Sequence, residues 1–142
     1  MAAPIAYASS FLYSNRVFAS KLFESIPHDS VLASRRWHLE PFGCTFGVVS
    51  LKETAPTEPP EKLSGRRFPY NMATDWQITP ELELAQINMG WFVPCKDWLG
   101  TSTFETMSQA LTTPGGWWAT SSEYVFLYSK PAKIAFRLRH GD

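Results

Sequence analysis

The period of the apolar positions changes along this chain, and each change predicts an element. Tyr7, Phe11, Phe18, Leu22 and Ile26 recur at helical spacing, with Val17 and Phe23 beside them. They predict one amphipathic helix, ended by Pro27. Residues 37–51 (WHLEPFGCTFGVVSL) are rich in β-branched and aromatic residues and are broken by Pro41 and Gly43. They predict a strand or a bent pair of strands, best defined over 45–51. Residues 53–67 (ETAPTEPPEKLSGRR) then turn polar and proline-rich. This is a solvated connection of polyproline character, running along a surface of the protein itself or of a partner.

Trp76-Gln77-Ile78 reads as a short strand interrupted by Pro80. Leu82, Leu84 and Ile87 fit an edge strand or a helical turn equally well. In Asn88-Met89-Gly90-Trp91 a glycine sits between bulky residues, which predicts a tight bend or a close backbone approach. Residues 94–100 read as a loop carrying Cys95, Lys96, Asp97 and Trp98. Ser102-Thr103-Phe104-Glu105 matches a capping box, so a short helix is expected to follow. Phe104, Met107, Ala110 and Leu111 form its apolar face, and Pro114-Gly115-Gly116 ends it. A helix this short needs a sheet to lie on. Residues 123–129 (EYVFLYS) and 133–139 (KIAFRLR) flank Lys130-Pro131-Ala132 and predict a hairpin. In its second strand Ile134, Phe136 and Leu138 alternate with Lys133, Ala135, Arg137 and Arg139, the pattern of one dry and one wet face. The expected fold is α+β: a small, mostly antiparallel sheet with one short helix packed on it. An N-terminal amphipathic helix or arm over 1–27 precedes a single domain over 28–142.

Composition narrows the function classes. A chain of 142 residues makes one domain with its own core. Aromatics at 15% and six Trp exclude a wholly disordered chain. Net charge is zero, so no global field points to nucleic acid or a membrane surface. No apolar run approaches the ~18 residues of a spanning helix. Residues 1–23 contain no Asp or Glu but hold Arg16, Lys21 and four Ser. That start reads either as a plain helix packed on the body or as a mitochondrial address.

The candidate chemistry is sparse. Cys44, Cys95, His28, His38 and His140 form no Cys-x-x-Cys or His-x-x-x-His pair, so a zinc site would need assembly from distant positions. Whether Cys44 and Cys95 are bonded is open at this level. Cys44 with His38 or His140 imitates a Cys–His nucleophile, but a thiol in an apolar strand is ordinarily structural. Gly115-Gly116 is a helix stop, and no phosphate-cradling glycine loop exists. Basic residues cluster at Arg35-Arg36, Arg66-Arg67 and from Lys130 to His140. Lys133, Arg137 and Arg139 are expected on the solvated face of the hairpin. The alternatives are a face against an acidic partner or an RNA-contacting sheet platform with interleaved aromatics.

The order Trp76-Gln77-Ile78, Asn88-Met89-Gly90-Trp91, Ser102-Thr103-Phe104-Glu105 and Gly116-Trp117 resembles the AQDQ family of accessory subunits of mitochondrial NADH:ubiquinone oxidoreductase, respiratory complex I. The resemblance covers Trp76 to Trp118, here without the Pro-Leu that precedes the Met-Gly-Trp turn in that family. It implies a non-catalytic subunit that stabilises the peripheral arm on the matrix side of the inner membrane. It implies protein partners, no cofactor, no small-molecule substrate and no nucleic acid. Trp76, Met89, Gly90, Trp91, Trp98, Trp117 and Trp118 are the expected partner-binding residues, since Trp anchors many interfaces. The alternatives are a β-rich coat or accessory protein of a virus or phage, an RNA-binding subunit of an organellar ribosome, and a small thiol enzyme acting through Cys44.

Overall fold

The computed structural model describes residues 15–36, 43–60, 76–82, 92–121 and 124–140. Residues 15–22 are helical (α1) and are followed by a turn and by strand β1, His28–Arg35. Strand β2 is Cys44–Leu51 and the short β3 is Gln77–Ile78. A 3-10 turn at Val93–Cys95 leads into a single helical turn, α2 (Lys96–Leu99), and then into α3 (Thr101–Thr112). Strands β4 (Trp117–Ser121), β5 (Tyr124–Ser129) and β6 (Ile134–His140) complete the order. These six strands form one sheet in the order β1-β2-β6-β5-β4-β3, and every neighbouring pair is antiparallel. The α+β expectation holds at this level.

Strand alternation gives the sheet two faces, and each has its own core. On the first, Phe46 and Val48 of β2, Val125 and Leu127 of β5, Trp118 of β4 and Ile134, Phe136 and Leu138 of β6 pack together. Phe104, Met107, Ala110 and Leu111 of α3 close over them. Their three- and four-residue spacing puts them on one helical stripe, as the sequence predicts. On the second face, Val49, Leu51, Tyr128 and Ala135 meet Ala19, Leu22, Phe23 and Ile26 from α1 and the turn after it. Ala55, from the proline-rich connection, joins that cluster, and the Tyr128 hydroxyl donates to the Pro56 carbonyl at 2.6 Å. The described start of the connection therefore runs along the protein's own sheet. Lys133 pairs with Glu53 at 3.3 Å on the surface above it.

This second layer corrects the one-wet-face expectation. Ala135 is fully buried and Arg137 and Arg139 are half-buried, because α1 covers that face. Gly47 permits the approach: a Cβ there would lie 2.9 Å from Leu22 Cδ2 and 3.3 Å from the Ala19 Cα.

Other local expectations are corrected as well. Helix α1 stops at Leu22, short of Pro27, and Phe23 and Ile26 are buried from the turn instead. Strand β1 has no counterpart in the sequence reading. Half of its residues are exposed, and register shifts at 28–30 and 31–33 break its alternation. Residues 94–99 are helical rather than a loop, with Pro94 in the first turn of the 3-10 segment, where its missing N–H costs nothing. The capping box does not form. Gly100, with φ of 89°, takes the N-cap position, and Ser102 is already inside α3, where its carbonyl accepts the Thr106 hydroxyl. The hairpin is as expected, except that Lys133 belongs to the turn, with φ of 58°. Tyr7 and Phe11, residues 37–42 and 83–91, and the remainder of the connection, 61–67, lie outside the described residues.

Candidate functional site

Two surface features stand above the rest. The first is a corner built on Cys95. The 3-10 turn buries Cys95 against the first-face core, where its sulfur is bonded to that of Cys44 with the Cα atoms 5.6 Å apart. The next helical turn, α2, buries Leu99 and directs Trp98 outward, where it is 55% exposed. From the end of β1, Arg35 reaches across the same face. Its Cζ lies 3.7 Å from the Trp98 ring centroid, and its Nη1 donates to the Cys44 carbonyl at 3.4 Å. Arg35 is itself buried, so the indole stands in a fixed position with a guanidinium behind it. Val93, at the start of the 3-10 turn, is exposed and adds apolar surface to the same segment.

The second feature is a basin on the other sheet face, beyond the contact of α1 with Gly47. Phe18, Arg36, Thr45, Phe46, Tyr124, Arg137 and Arg139 line an open hollow there. The strand register explains the grouping: Arg139 sits opposite Thr45 and Tyr124, and Arg137 opposite Gly47 and Phe126. Tyr124 and Phe126 stack with centroids 5.6 Å apart. The Arg137 and Arg139 guanidiniums lie 4.5 and 5.5 Å from the Tyr124 centroid, and that of Arg36 lies 6.0 Å from the Phe18 ring. Arg36 is held through its backbone, whose N–H donates to Asn15 Oδ1 at 2.7 Å. Ser34 ties the same strand end to α1, donating to the Asn15 carbonyl and accepting from the Ala19 N–H at 2.8 Å.

Of the expected partner-binding residues, Trp98 is on the surface. Trp117 is half-buried in β4, and Trp76 is half-buried against the second-face cluster. Trp118 lies in the first-face core at 8% exposure, and its Nε1 has no hydrogen-bond partner among the described residues. Met89, Gly90 and Trp91 lie outside the described residues. The convergence of Arg36 with Arg137 and Arg139 escapes sequence reading, although both basic clusters are visible there.

The disulfide overturns the reading of Cys44 as a buried free thiol or a nucleophile, since a bonded sulfur offers no thiolate. Among the described residues no group of three His, Cys, Asp or Glu side chains is placed to hold a metal ion. Likewise among them, no helix is long and apolar enough to cross a membrane. Burial raises the Tyr128 phenol from its ordinary 10.0 to about 12. Compared with protein-family models, curated proteins and solved structures, the chain matches none.

Proposed function

We propose that this protein is a non-catalytic structural subunit of a larger protein assembly and that Trp98 is its principal docking anchor. The observation that carries the reading is the Trp98–Arg35 pair. An exposed indole with a buried guanidinium 3.7 Å from its centroid, on a turn covalently tied to the sheet, has little freedom left to lose on binding. Aromatic anchors of that kind supply a large share of interface energy. In its most specific form the proposal is an accessory subunit of complex I, which rests on the resemblance across Trp76 to Trp118.

The disulfide sets a condition on that form. Structural disulfides persist in oxidising surroundings and are rare where thiols are kept reduced. It counts against the matrix side of the inner membrane as the protein's home. It also favours a second reading, a coat or accessory protein of a virus or phage, because virion surfaces are oxidising.

Native fractionation of source cells, with this chain followed by mass spectrometry, tests the proposal beside the Trp98→Ala variant. The wild-type chain is expected in a high-mass band, and W98A is expected to shift toward free chain with unchanged thermal stability. Comigration with NADH dehydrogenase activity supports the complex I form, and a homogeneous self-assembled particle supports the coat form. A wild-type chain that runs free, or a W98A chain that stays in the band, overturns the anchor reading.

A further inference from the structure

The Trp98 corner is assembled from parts of the chain that are distant in sequence. Arg35 ends β1, Cys44 opens β2, and Cys95 closes the 3-10 turn just before the helical turn that carries Trp98. Two contacts converge on Cys44: its sulfur holds Cys95, and its carbonyl accepts from Arg35 Nη1 at 3.4 Å. Arg35 in turn stands 3.7 Å from the centre of the Trp98 ring. Cys44 therefore ties down both members of the Trp98–Arg35 pair, one through its main chain and the other through its sulfur.

Helix α2 has little else to locate it on the sheet. It packs chiefly against its neighbours in sequence, the 3-10 turn and α3, and Leu99 is the one residue of it that is buried. A single helical turn has no stability of its own, and a segment with few buried apolar contacts opens readily. With Cys44 and Cys95 as free thiols, α2 loses its covalent tie to β2. A cation–π contact on an exposed ring is too weak to hold the segment alone. Both bonded residues are buried, Cys44 at 2% exposure and Cys95 at 0%. An attacking thiolate must reach one of the sulfurs, so thiol exchange is open to the chain before the corner closes and shut off afterwards.

We infer that closure of the Cys44–Cys95 bond is the step that makes this chain competent to dock, a one-way redox gate on the Trp98 anchor; the inference rests on that anchor reading. The reaction is thiol–disulfide exchange with a disulfide oxidant, either a small organic disulfide or a protein one. One cysteine thiolate displaces a sulfur of the donor and forms a mixed disulfide, and the second cysteine then displaces the other donor sulfur. The two thiols give up two protons and two electrons, and the donor leaves as two thiols. The reduced chain folds its sheet but carries Trp98 loosely, whereas the oxidised chain presents it fixed against Arg35.

Two readouts test it. In the isolated full-length chain, NMR follows the Arg35 side-chain protons, which the indole ring shifts upfield in the oxidised protein. After reduction in urea and refolding in a dithiol they are expected at their ordinary positions, while the amide signals of β5 and β6 stay in place. Unchanged Arg35 shifts overturn the gate. So does loss of the sheet signals, since the bond then holds the whole fold and not the corner.

In source cells, free thiols are capped with a mass-tagged maleimide before native fractionation. Chain in the high-mass band is expected to carry no tag, with doubly tagged chain confined to the free pool. Cys44→Ser together with Cys95→Ser is expected to leave the band as fully as W98A does. Doubly tagged chain within the band overturns the gate. If W98A leaves the band and the double serine variant stays, the anchor stands and the gate falls. If W98A stays, the anchor reading falls and takes the gate with it.

Discussion

Cys44, the first residue of β2, is bonded to Cys95, the last residue of the 3-10 turn, across a sequence separation of 51. The bond fastens the helical segment that carries Trp98 to β2, the strand next to the β1 edge of the sheet. It also spans the connection and the 83–91 stretch, so it restricts a large part of the unfolded chain. The chain-entropy relation for a loop of this length gives about 4 kcal/mol. Reduction, or the paired Cys44→Ala and Cys95→Ala change, is expected to lower the stability read from urea denaturation by an amount of that order. Equal midpoints for oxidised and reduced protein would refute the stapling role.

Gly47 sets how closely α1 approaches the sheet. A methyl group there meets the Ala19 Cα at 3.3 Å as well as the end of Leu22, and the backbone contact cannot swing away. Gly47→Ala is expected to destabilise the fold by about 1–3 kcal/mol through overpacking. Leu22→Ala in the same chain should return part of that loss, because the two positions are in contact. Additive effects in the double-mutant cycle would mean that α1 does not bear on Gly47.

Tyr128 makes stability fall in alkali. Its phenol is held at about 12 in the folded protein against 10.0 unfolded, owing to burial. Between those values the folded state keeps a proton that the unfolded state has released. Its stabilising contribution is therefore whole below pH 10 and is lost as pH rises toward 12, at about 1.4 kcal/mol per pH unit. Tyr128→Phe removes this slope, along with the hydrogen bond to the Pro56 carbonyl. Denaturation profiles of the two proteins across that range are expected to diverge, and parallel profiles would contradict the assignment.

Phe136 is fully buried in the first-face core, on the strand that pairs with both β2 and β5. Phe136→Ala is expected to cost about 3–5 kcal/mol, the usual result of emptying a ring-sized space in a packed interior. Calorimetric melting of the variant measures it. A loss below about 1 kcal/mol would mean that the site collapses around the smaller side chain.

Much of this architecture is legible in the sequence because it rests on short-range periodicity. Phe104, Met107, Ala110 and Leu111 announce the buried stripe of α3, and Ile134, Phe136 and Leu138 announce the dry face of β6. The hairpin at Lys130–Ala132 and the burial of Leu22 and Ile26 are readable for the same reason. Strand β1 is not readable, since an exposed edge strand with two register shifts carries no sustained alternation. The unused capping box shows the limit of motif matching. Ser102 and Glu105 have the right spacing, but Gly100 starts the helix before them.

The sequence by itself determined β2, the β5–β6 hairpin and the apolar stripe of α3, together with the side chains that each of them turns inward. Only the tertiary structure decided that Arg137 and Arg139 lie under a second layer, that Arg36 joins them, that Arg35 backs Trp98, and that Cys44 meets Cys95. The physical reason is distance along the chain. Period and propensity act over a few residues, whereas these four contacts join segments whose meeting depends on the order of strands in the sheet and on the packing of α1 over Gly47 and its neighbours.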